Sequence, residues 1–162
     1  MILANSAADL ATVLKLTHTL RGRTQETSDV LDRLQTGDVW IVPAGSDDVG
    51  VGKTTLAYLV ATRGLNSGRF AWVAWIACGH AIRNVDQLVD LALPNHPAGL
   101  IVLDDVWFDV PMDWRSAAHY RLLVTTERHQ PVGYALTGLS FEDAKALLTD
   151  LAGPRPEIEV LV

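Results

Sequence analysis

Short runs of consecutive apolar residues alternate along the chain with stretches in which apolar residues recur at helical spacing. Runs that are apolar on both alternating faces are typical of strands covered on both sides, whereas a period near 3.6 predicts a helix with one buried face. The alternation therefore predicts an α/β protein whose parallel sheet carries helices on both faces. Strands are predicted at 38–43, 70–77, 99–104, 120–125 and 133–139, and helices at 5–17, from Thr24 as N-cap to near Gly37, and at 53–63, 85–92 and 140–151.

Residue types at the helix ends place several of the boundaries. Thr24 is expected to be the N-cap of the second helix, because a threonine side chain there accepts a hydrogen bond from a free backbone N–H. Gly64 is expected to end the third helix, since glycine is common just after a helix. Ser140 is expected to cap the last helix, and Glu142 and Asp143 favour its first turn.

Length and composition indicate one globular domain. The chain has 162 residues, of which 49% are apolar and 20% are charged, and its net charge is −6. This length supplies enough core for independent folding, and the negative charge disfavours a nucleic-acid partner. Cys78 is the single cysteine, so an internal disulfide is excluded and a small buried thiol is expected. The sequence has no basic leader and no apolar run of membrane-spanning length, so we expect a cytoplasmic protein without a membrane partner.

A glycine-rich segment joins the strand predicted at 38–43 to the helix predicted at 53–63. Strand, glycine-rich loop, Lys-Thr and helix is the order found in a phosphate-binding loop. Backbone N–H groups of such a loop and the helix N-terminus form an anion site. Lys53 adds a positive charge for the β- and γ-phosphates, and the hydroxyl of Thr54 is placed to ligate Mg²⁺. The segment reads Gly50-Val51-Gly52-Lys53-Thr54-Thr55.

Polar residues end two further predicted strands. Asp104 is expected to hold Mg²⁺, and Asp105 is expected to act as general base for an attacking water. Thr125 and Thr126 end the next strand, where a polar side chain is placed to sense the γ-phosphate. Because open parallel sheets bind ligands at the carboxyl ends of their strands, these segments are expected to meet at one site. Taken singly, each also fits a plain reading, as an acidic turn or as a strand end rich in β-branched residues.

The order of these segments is similar to that in the nucleotide-binding domain of the NB-ARC family. That family comprises signalling ATPases of plant resistance proteins, apoptotic protease-activating factors and bacterial relatives. The resemblance covers residues 20–152 and identifies a Gly-Arg motif, Walker A, Walker B, a sensor strand and the start of a helix. In that order, the segments are Leu20-Arg21-Gly22-Arg23, Gly50-Val51-Gly52-Lys53-Thr54-Thr55-Leu56-Ala57, Leu103-Asp104-Asp105-Val106-Trp107, Leu123-Val124-Thr125-Thr126 and Leu139-Ser140-Phe141-Glu142-Asp143-Ala144.

The resemblance implies a three-layer P-loop NTPase fold with a parallel sheet of about five strands. It implies that ADP and ATP bind with Mg²⁺, with Arg21, Gly22 and Arg23 beside the adenine and the Walker A segment around the phosphates. It also implies a switch that ADP holds closed and that ATP opens for assembly with protein partners or for self-association, with weak or absent hydrolysis. The expected organisation is an N-terminal helical segment at 1–19, the nucleotide-binding domain at 20–152 and a loosely ordered tail at 153–162.

The chain departs from the family pattern at two places. Asp47 stands where the Walker A rule places its first glycine, and Asp48 follows it. A carboxylate about 6 Å from a phosphate weakens binding roughly a hundredfold, unless the loop bulges at Gly45 and turns both acids to solvent, which we favour. Glu127 follows the two threonines where the family usually has arginine, and Arg128, the candidate sensor, comes one residue later. A shift of one residue turns a side chain to the other face of a strand, which weighs against hydrolysis more than against binding.

Two other functions stay open from the sequence. The altered Walker A loop is compatible with a degenerate pseudo-ATPase that serves as a protein-interaction module. A small nucleotide kinase ranks third, because the pair Asp104 and Asp105 suits water activation and no arginine-rich lid is visible. The five histidines have no paired metal-ligand spacing, and Trp40, Trp72 and Trp75 are expected to lie in the core.

Overall fold

Strands and helices alternate along the described parts of the chain. The structure is a computed structural model, and it describes residues 1–14, 22–45, 50–88, 94, 98–111, 120–128 and 133–152. Within these ranges the strands are β1 (Ile2–Ala4), β2 (Val39–Pro43), β3 (Trp72–Ala77), β4 (Gly99–Val106), β5 (Tyr120–Thr126) and β6 (Tyr134–Leu136). The helices are α1 (Ala7–Leu14), α2 (Thr24–Thr36), α3 (Lys53–Asn66) and α4 (Phe141–Ala152), and a 3₁₀ turn spans Val85–Leu88.

The strands form one sheet in the order β1-β3-β4-β5-β2-β6. Strands β2 to β6 run parallel, which confirms the predicted parallel sheet, and β1 pairs antiparallel with β3 at one edge. The order places β5 between β2 and β4. The glycine-rich loop, the two aspartates and the two threonines lie at the carboxyl ends of these three strands. They are therefore neighbours on one side of the sheet.

Two apolar cores lie on opposite faces of the sheet. On one face, helices α1, α2 and α3 pack over strand residues that include Ile41 and Trp75. On the other face, Trp40 and Trp72 form a second core with Leu88 of the 3₁₀ turn. Neighbours such as Trp40 and Ile41 enter opposite cores because side chains alternate along a strand. This alternation explains why the strands read as unbroken apolar runs, and it gives the predicted three-layer α/β fold.

The end of α3 differs from the sequence-based expectation. The helix continues through Gly64 to Asn66, so the prediction that Gly64 ends it is wrong. A Cβ atom at Gly64 would overlap the ring of Phe70, which packs directly against the helix backbone. The glycine at this position therefore provides room for an aromatic ring rather than a helix stop.

The starts of α2 and α4 are capped in different ways. Thr24 is the first residue of α2, and Arg23 occupies the N-cap position in the left-handed region, with φ of 66°, so the expected threonine cap is wrong. Ser140 does cap α4, because its Oγ accepts a hydrogen bond from the backbone N–H of Asp143 at 3.1 Å. The capping prediction is thus confirmed for α4 alone.

Two other predicted helices are described only in part. The stretch predicted at 5–17 forms α1 over Ala7–Leu14, preceded by strand β1, which the apolar pattern did not predict. The stretch predicted at 85–92 forms a 3₁₀ turn over Val85–Leu88. Residues 5 and 6 precede the helix, whereas residues 15–17 and 89–92, and the tail at 153–162, lie outside the described residues.

Candidate functional site

A bulge in β4 aims its two aspartates in different directions. Asp104 and Asp105 together face one residue of β5, Thr125, so the ladder between the strands carries an extra residue at this point. Asp105 has a φ of 60°, a left-handed conformation that few residues other than glycine adopt. The side chain of Asp104 is buried, whereas Asp105 is exposed. The bulge therefore separates one interior carboxylate from one that faces solvent.

Hydrogen bonds from two hydroxyls converge on the interior carboxylate. The Oγ1 of Thr54 donates to Oδ1 of Asp104 at 2.8 Å, and the Oγ1 of Thr125 donates to the same oxygen at 2.7 Å. The backbone N–H of Asp105 in turn donates to Oγ1 of Thr125 at 2.9 Å. This network joins the start of α3 to the ends of β4 and β5, and it fixes the orientation of each polar group.

The glycine-rich loop turns into α3 through two left-handed glycines. Gly50 has a φ of 74° and Gly52 a φ of 91°, and Gly52 directly precedes the helix. The helical hydrogen-bond ladder begins with the N–H of Leu56, which donates to the carbonyl of Gly52 at 2.9 Å. The N–H groups of the preceding first turn, from Lys53 to Thr55, are therefore available to an anion, with the positive end of the helix dipole behind them.

Lys53 is buried and ion-paired at the start of α3. Its side chain is 7% exposed, and its Nζ lies 2.8 Å from Oε1 of Glu127, whose side chain is 55% exposed. Glu127 directly follows Thr126 at the end of β5. The lysine of the glycine-rich loop is thus held by a carboxylate from the adjacent strand end.

These side chains surround one cavity of about 330 Å³. This volume falls within the range of about 300–1,000 Å³ that is typical of small-ligand sites. The structure brings together six residues that the sequence predicted for one site and adds three more from the ends of β3 and β5. The predicted residues are Lys53, Thr54, Asp104, Asp105, Thr125 and Thr126, and the additional ones are Ala77, Gly79 and Glu127.

Sequence reasoning missed the contribution of the β3 end. Ala77 ends β3, and Gly79 follows so closely beside Asp105 that a Cβ atom at Gly79 would lie 3.7 Å from Oδ2 of that aspartate. The order of the strands could have indicated this contribution. Because β3 runs parallel to β4, the carboxyl ends of the two strands lie on the same side of the sheet.

The Gly-Arg motif lies against the back of the loop. The buried Arg23 guanidinium donates to the carbonyl of Val51 at 2.9 Å and to the carbonyl of Thr137 at 2.7 Å, and it pairs with Glu26 at 2.8 Å. Arg23 therefore ties the glycine-rich loop to the segment after β6. A Cβ atom at Gly22, the preceding residue, would lie 3.1 Å from the side chain of Leu139. Arg21 lies outside the described residues, so its proximity to adenine stays a prediction.

Arg128 is directed to a neighbouring loop. Its guanidinium lies 2.7 Å from Oδ1 of Asp109, and its backbone N–H donates to Oγ1 of Thr126 at 3.0 Å. Arg128 is not among the residues that line the cavity. Contact between Arg128 and a γ-phosphate therefore stays a prediction, and Asp47 and Asp48 lie outside the described residues.

Cys78 lies beneath the aspartates and is chemically protected. It is 1% exposed, and its backbone N–H donates to the carbonyl of Asp104 at 2.8 Å. Burial, together with the carboxylates of Asp104 and Asp105, raises the pKa of the Cys78 thiol to about 12. The expectation of a small buried thiol is confirmed.

We expect Cys78 to resist iodoacetamide in the native protein at pH 8. With a pKa of about 12, only about one thiol in 10⁴ is ionised at that pH, against about a quarter of unperturbed thiols. Because a raised pKa keeps the thiol protonated, labelling should increase about tenfold per pH unit above 8. Mass spectrometry of the intact protein measures the adduct, and the same protein in guanidinium chloride is the control. Rapid native labelling at pH 8 would contradict this placement.

Comparison with known proteins shows the fold. No protein-family model matches the chain. No curated protein matches its sequence. A solved structure of a single-substitution variant of RuvB from Thermotoga maritima matches with a TM-score of 0.51 and 12% identity, over 92% of this chain and 53% of that one. The chain thus shares the predicted P-loop NTPase fold with that structure, and it spans about half the length of the solved chain it matches.

Two further observations describe the same parts of the chain. None of the described helices is long and apolar enough to cross a bilayer. The described residues also hold no cluster of three or more histidine, cysteine or acidic side chains suited to a metal ion.

Proposed function

We propose that this chain is an NB-ARC-like domain that binds ADP and ATP with Mg²⁺ and acts as a nucleotide-controlled switch. The observation that carries the proposal is the convergence of Lys53, Thr54 and Asp104 on one cavity beneath a glycine-rich helix start. Two chain segments, the start of α3 and the end of β4, supply these groups, and hydrogen bonds at 2.7–2.8 Å join Asp104 to Thr54 and to Thr125 of β5. A fold of the P-loop ATPase class supports the same assignment.

The phosphates are proposed to lie at the start of α3. The first-turn N–H groups and the Lys53 ammonium are the positive groups at this end of the cavity, and phosphate oxygens are hydrogen-bond acceptors with full charge. Gly50, Val51, Gly52 and Thr55 provide the backbone of the cradle. The two residues that flank Val51 are glycines in the left-handed region, which residues with a Cβ atom seldom adopt. This backbone is consistent with a loop that wraps around an anion.

The donor groups beside the phosphates fit Mg²⁺. The Thr54 hydroxyl and an Asp104 carboxylate oxygen lie 2.8 Å apart, and both line the cavity. Mg²⁺ prefers oxygen ligands and usually takes one or two from the protein, with the rest from phosphate and water. Thr54 and Asp104 would hold the ion, which would neutralise phosphate charge. Asp104 is already oriented by Thr125, so its carboxylate needs no rearrangement to face the cavity.

ATP hydrolysis is proposed to be slow. Asp105 lies on the bulge with an exposed carboxylate that lines the cavity, which supports a role in accepting a proton from water. Arg128, which would stabilise developing negative charge, is instead paired with Asp109 at 2.7 Å. Without an arginine at the γ-phosphate, P-loop enzymes lose much of their rate enhancement.

The proposed switch, the adenine site and the cellular location rest on the family resemblance. Adenine is proposed to lie near Arg21, Gly22 and Arg23, and the bond from Arg23 to the carbonyl of Val51 supports a link between that motif and the loop. Nucleotide exchange would then control assembly with protein partners or self-association. A cytoplasmic location belongs to the same proposal.

Titration with fluorescent ADP and ATP tests the proposal. We expect dissociation constants in the micromolar range, which correspond to a binding free energy of about −8 kcal/mol. Mg²⁺ should tighten the binding about tenfold. Asp104→Asn should remove this Mg²⁺ enhancement, because a neutral amide is a poorer ligand for the ion. Asp109→Asn, an equal change in charge beyond the same strand, should retain it. Loss of the enhancement in both variants would contradict the assigned role of Asp104.

A pseudo-ATPase acting as an interaction module is the second candidate. The observation that favours it is the Lys53–Glu127 ion pair, which satisfies the loop lysine without a ligand. Flat titrations with ADP and ATP at high micromolar concentration would support this candidate. Rapid phosphate transfer to a nucleoside monophosphate would instead support the kinase.

A further inference from the structure

Glu127 and a phosphate group would require the same ammonium. Among the described residues that line the cavity, Lys53 is the one cationic side chain, and its Nζ lies 2.8 Å from Oε1 of Glu127. The other carboxylates of the cavity are differently engaged, since Asp104 accepts two hydroxyl hydrogen bonds and Asp105 faces solvent on the bulge. Glu127 therefore occupies the partner position at Lys53 that an anionic ligand needs.

We propose that Glu127 is an internal competitor for phosphate, which holds Lys53 in the free protein and must swing away when nucleotide binds. The proposal rests on the function proposed above and adds a residue that sets its affinity. Glu127 would act through Lys53 and take no part in the chemistry.

The exposure of the two partners explains why the pair can open. Lys53 is 7% exposed and fixed at the start of α3, whereas the Glu127 side chain is 55% exposed and follows the last residue of β5. Glu127 can therefore regain water by rotating outward, while Lys53 stays in place for the incoming anion. An ion pair with one half-exposed partner changes an equilibrium by a factor of about two to five.

Repulsion adds to this competition. A glutamate that leaves Lys53 but stays at the mouth of the cavity still faces a ligand with two or more negative charges. Loss of the charge should therefore strengthen the binding of phosphate-containing ligands about fivefold or more. A ligand without phosphate should be unaffected, because Glu127 would act on binding through the charge of Lys53, its ion-pair partner in the structure.

The test compares three probes on Glu127→Gln, which keeps the size of the side chain and removes its charge. We expect Mg²⁺–ADP and pyrophosphate to bind about fivefold more tightly than to the wild type, and adenosine to bind equally. Glu127→Asp should restore wild-type affinity at least in part, since it returns the charge. Asp32→Asn is the matched control, because Asp32 is an exposed carboxylate that lies 3.5 Å from Arg69 on another surface.

The outcomes separate the two proposals. Tighter binding of both phosphate probes to Glu127→Gln alone supports internal competition. Equal affinity of wild type and Glu127→Gln for ADP would overturn it while leaving nucleotide binding intact. Equal gains for adenosine, or a gain in Asp32→Asn, would also overturn it, because a general structural effect would then explain the result. No ADP binding by any of these proteins would overturn the proposed function and the competition together.

Discussion

Lys53→Ala is expected to weaken ADP binding at least a hundredfold, which corresponds to about 2.8 kcal/mol. The substitution removes the cationic side chain of the cavity and the hydrogen bonds it would donate to phosphate oxygens. Such a bond to a charged group contributes about 1.5–3 kcal/mol, and attraction between the charges adds to it in a partly buried site. Isothermal titration with Mg²⁺–ADP measures the loss directly.

Two variants are the controls for this prediction, one at another lysine and one that keeps the charge at position 53. Lys145→Ala removes an equal charge from α4, which does not line the cavity, and should bind ADP like the wild type. Lys53→Arg keeps the charge in a bulkier planar group and should retain part of the affinity. Circular dichroism must show that each variant is folded. An affinity of Lys53→Ala within threefold of wild type would remove the basis for placing phosphate at this loop.

Gly99→Ala is expected to lower the free energy of unfolding by about 1–3 kcal/mol. Gly99 opens β4, and a Cβ atom there would overlap the indole ring of Trp72 on the adjacent strand. Trp72 is 2% exposed and packs edge-on against Tyr120 with ring centroids 6.0 Å apart, so it has little room to move. Urea unfolding followed by circular dichroism measures the change, and the melting temperature should fall by about 3–10 °C.

Gly138→Ala is the matched control for overpacking. A Cβ atom at Gly138 would meet no other atom within 4 Å, so this variant should stay within about 0.5 kcal/mol of wild type. If Gly99→Ala and Gly138→Ala unfold at the same urea concentration, the tight contact between Gly99 and Trp72 is not present in solution. Both glycines lack a left-handed φ, so backbone strain does not complicate the comparison.

Much of the architecture was predictable because short-range patterns determine it. The strands beside the site are buried on both faces, so each contains a continuous apolar run, and the runs of β4 and β5 lead into Asp104 and Thr125. The rule that parallel strands present ligand-binding residues at their carboxyl ends then predicted that Lys53, Asp104 and Thr125 would meet. The cavity confirms this meeting of the three residues, and the bound nucleotide stays a prediction.

Other features could not be predicted because they depend on partners distant in the sequence. The bulge at Asp104 and Asp105 exists only relative to Thr125, and no local signal in β4 indicates an extra residue. Glu127 was recognised as a departure from the family pattern, but its pairing with Lys53 depends on the exact packing of β5 against α3. The end of α3 was missed for the same reason, since the space at Gly64 is filled by Phe70 from beyond the helix.

Arg23 of the Gly-Arg motif makes contacts that the sequence did not indicate. Arg23 was predicted to touch nucleotide, and in the structure its guanidinium binds the carbonyls of Val51 and Thr137. A planar guanidinium can donate to both carbonyls and to Glu26 at once, which a lysine ammonium on a flexible stem does less well. Arg23 thus supports the loop, and contact between the motif and adenine stays a prediction.

Both outermost strands of the sheet, β1 and β6, are only three residues long. Each offers few unpaired backbone groups to another polypeptide. The next strand after β1, the six-residue apolar strand β3, would offer a longer edge for pairing if it were outermost. Because these edge strands are short, they disfavour the pairing of strands from many copies into fibrils. We therefore expect that an oligomer of this chain would form through side chains of its helices or loops rather than by pairing of these two strands.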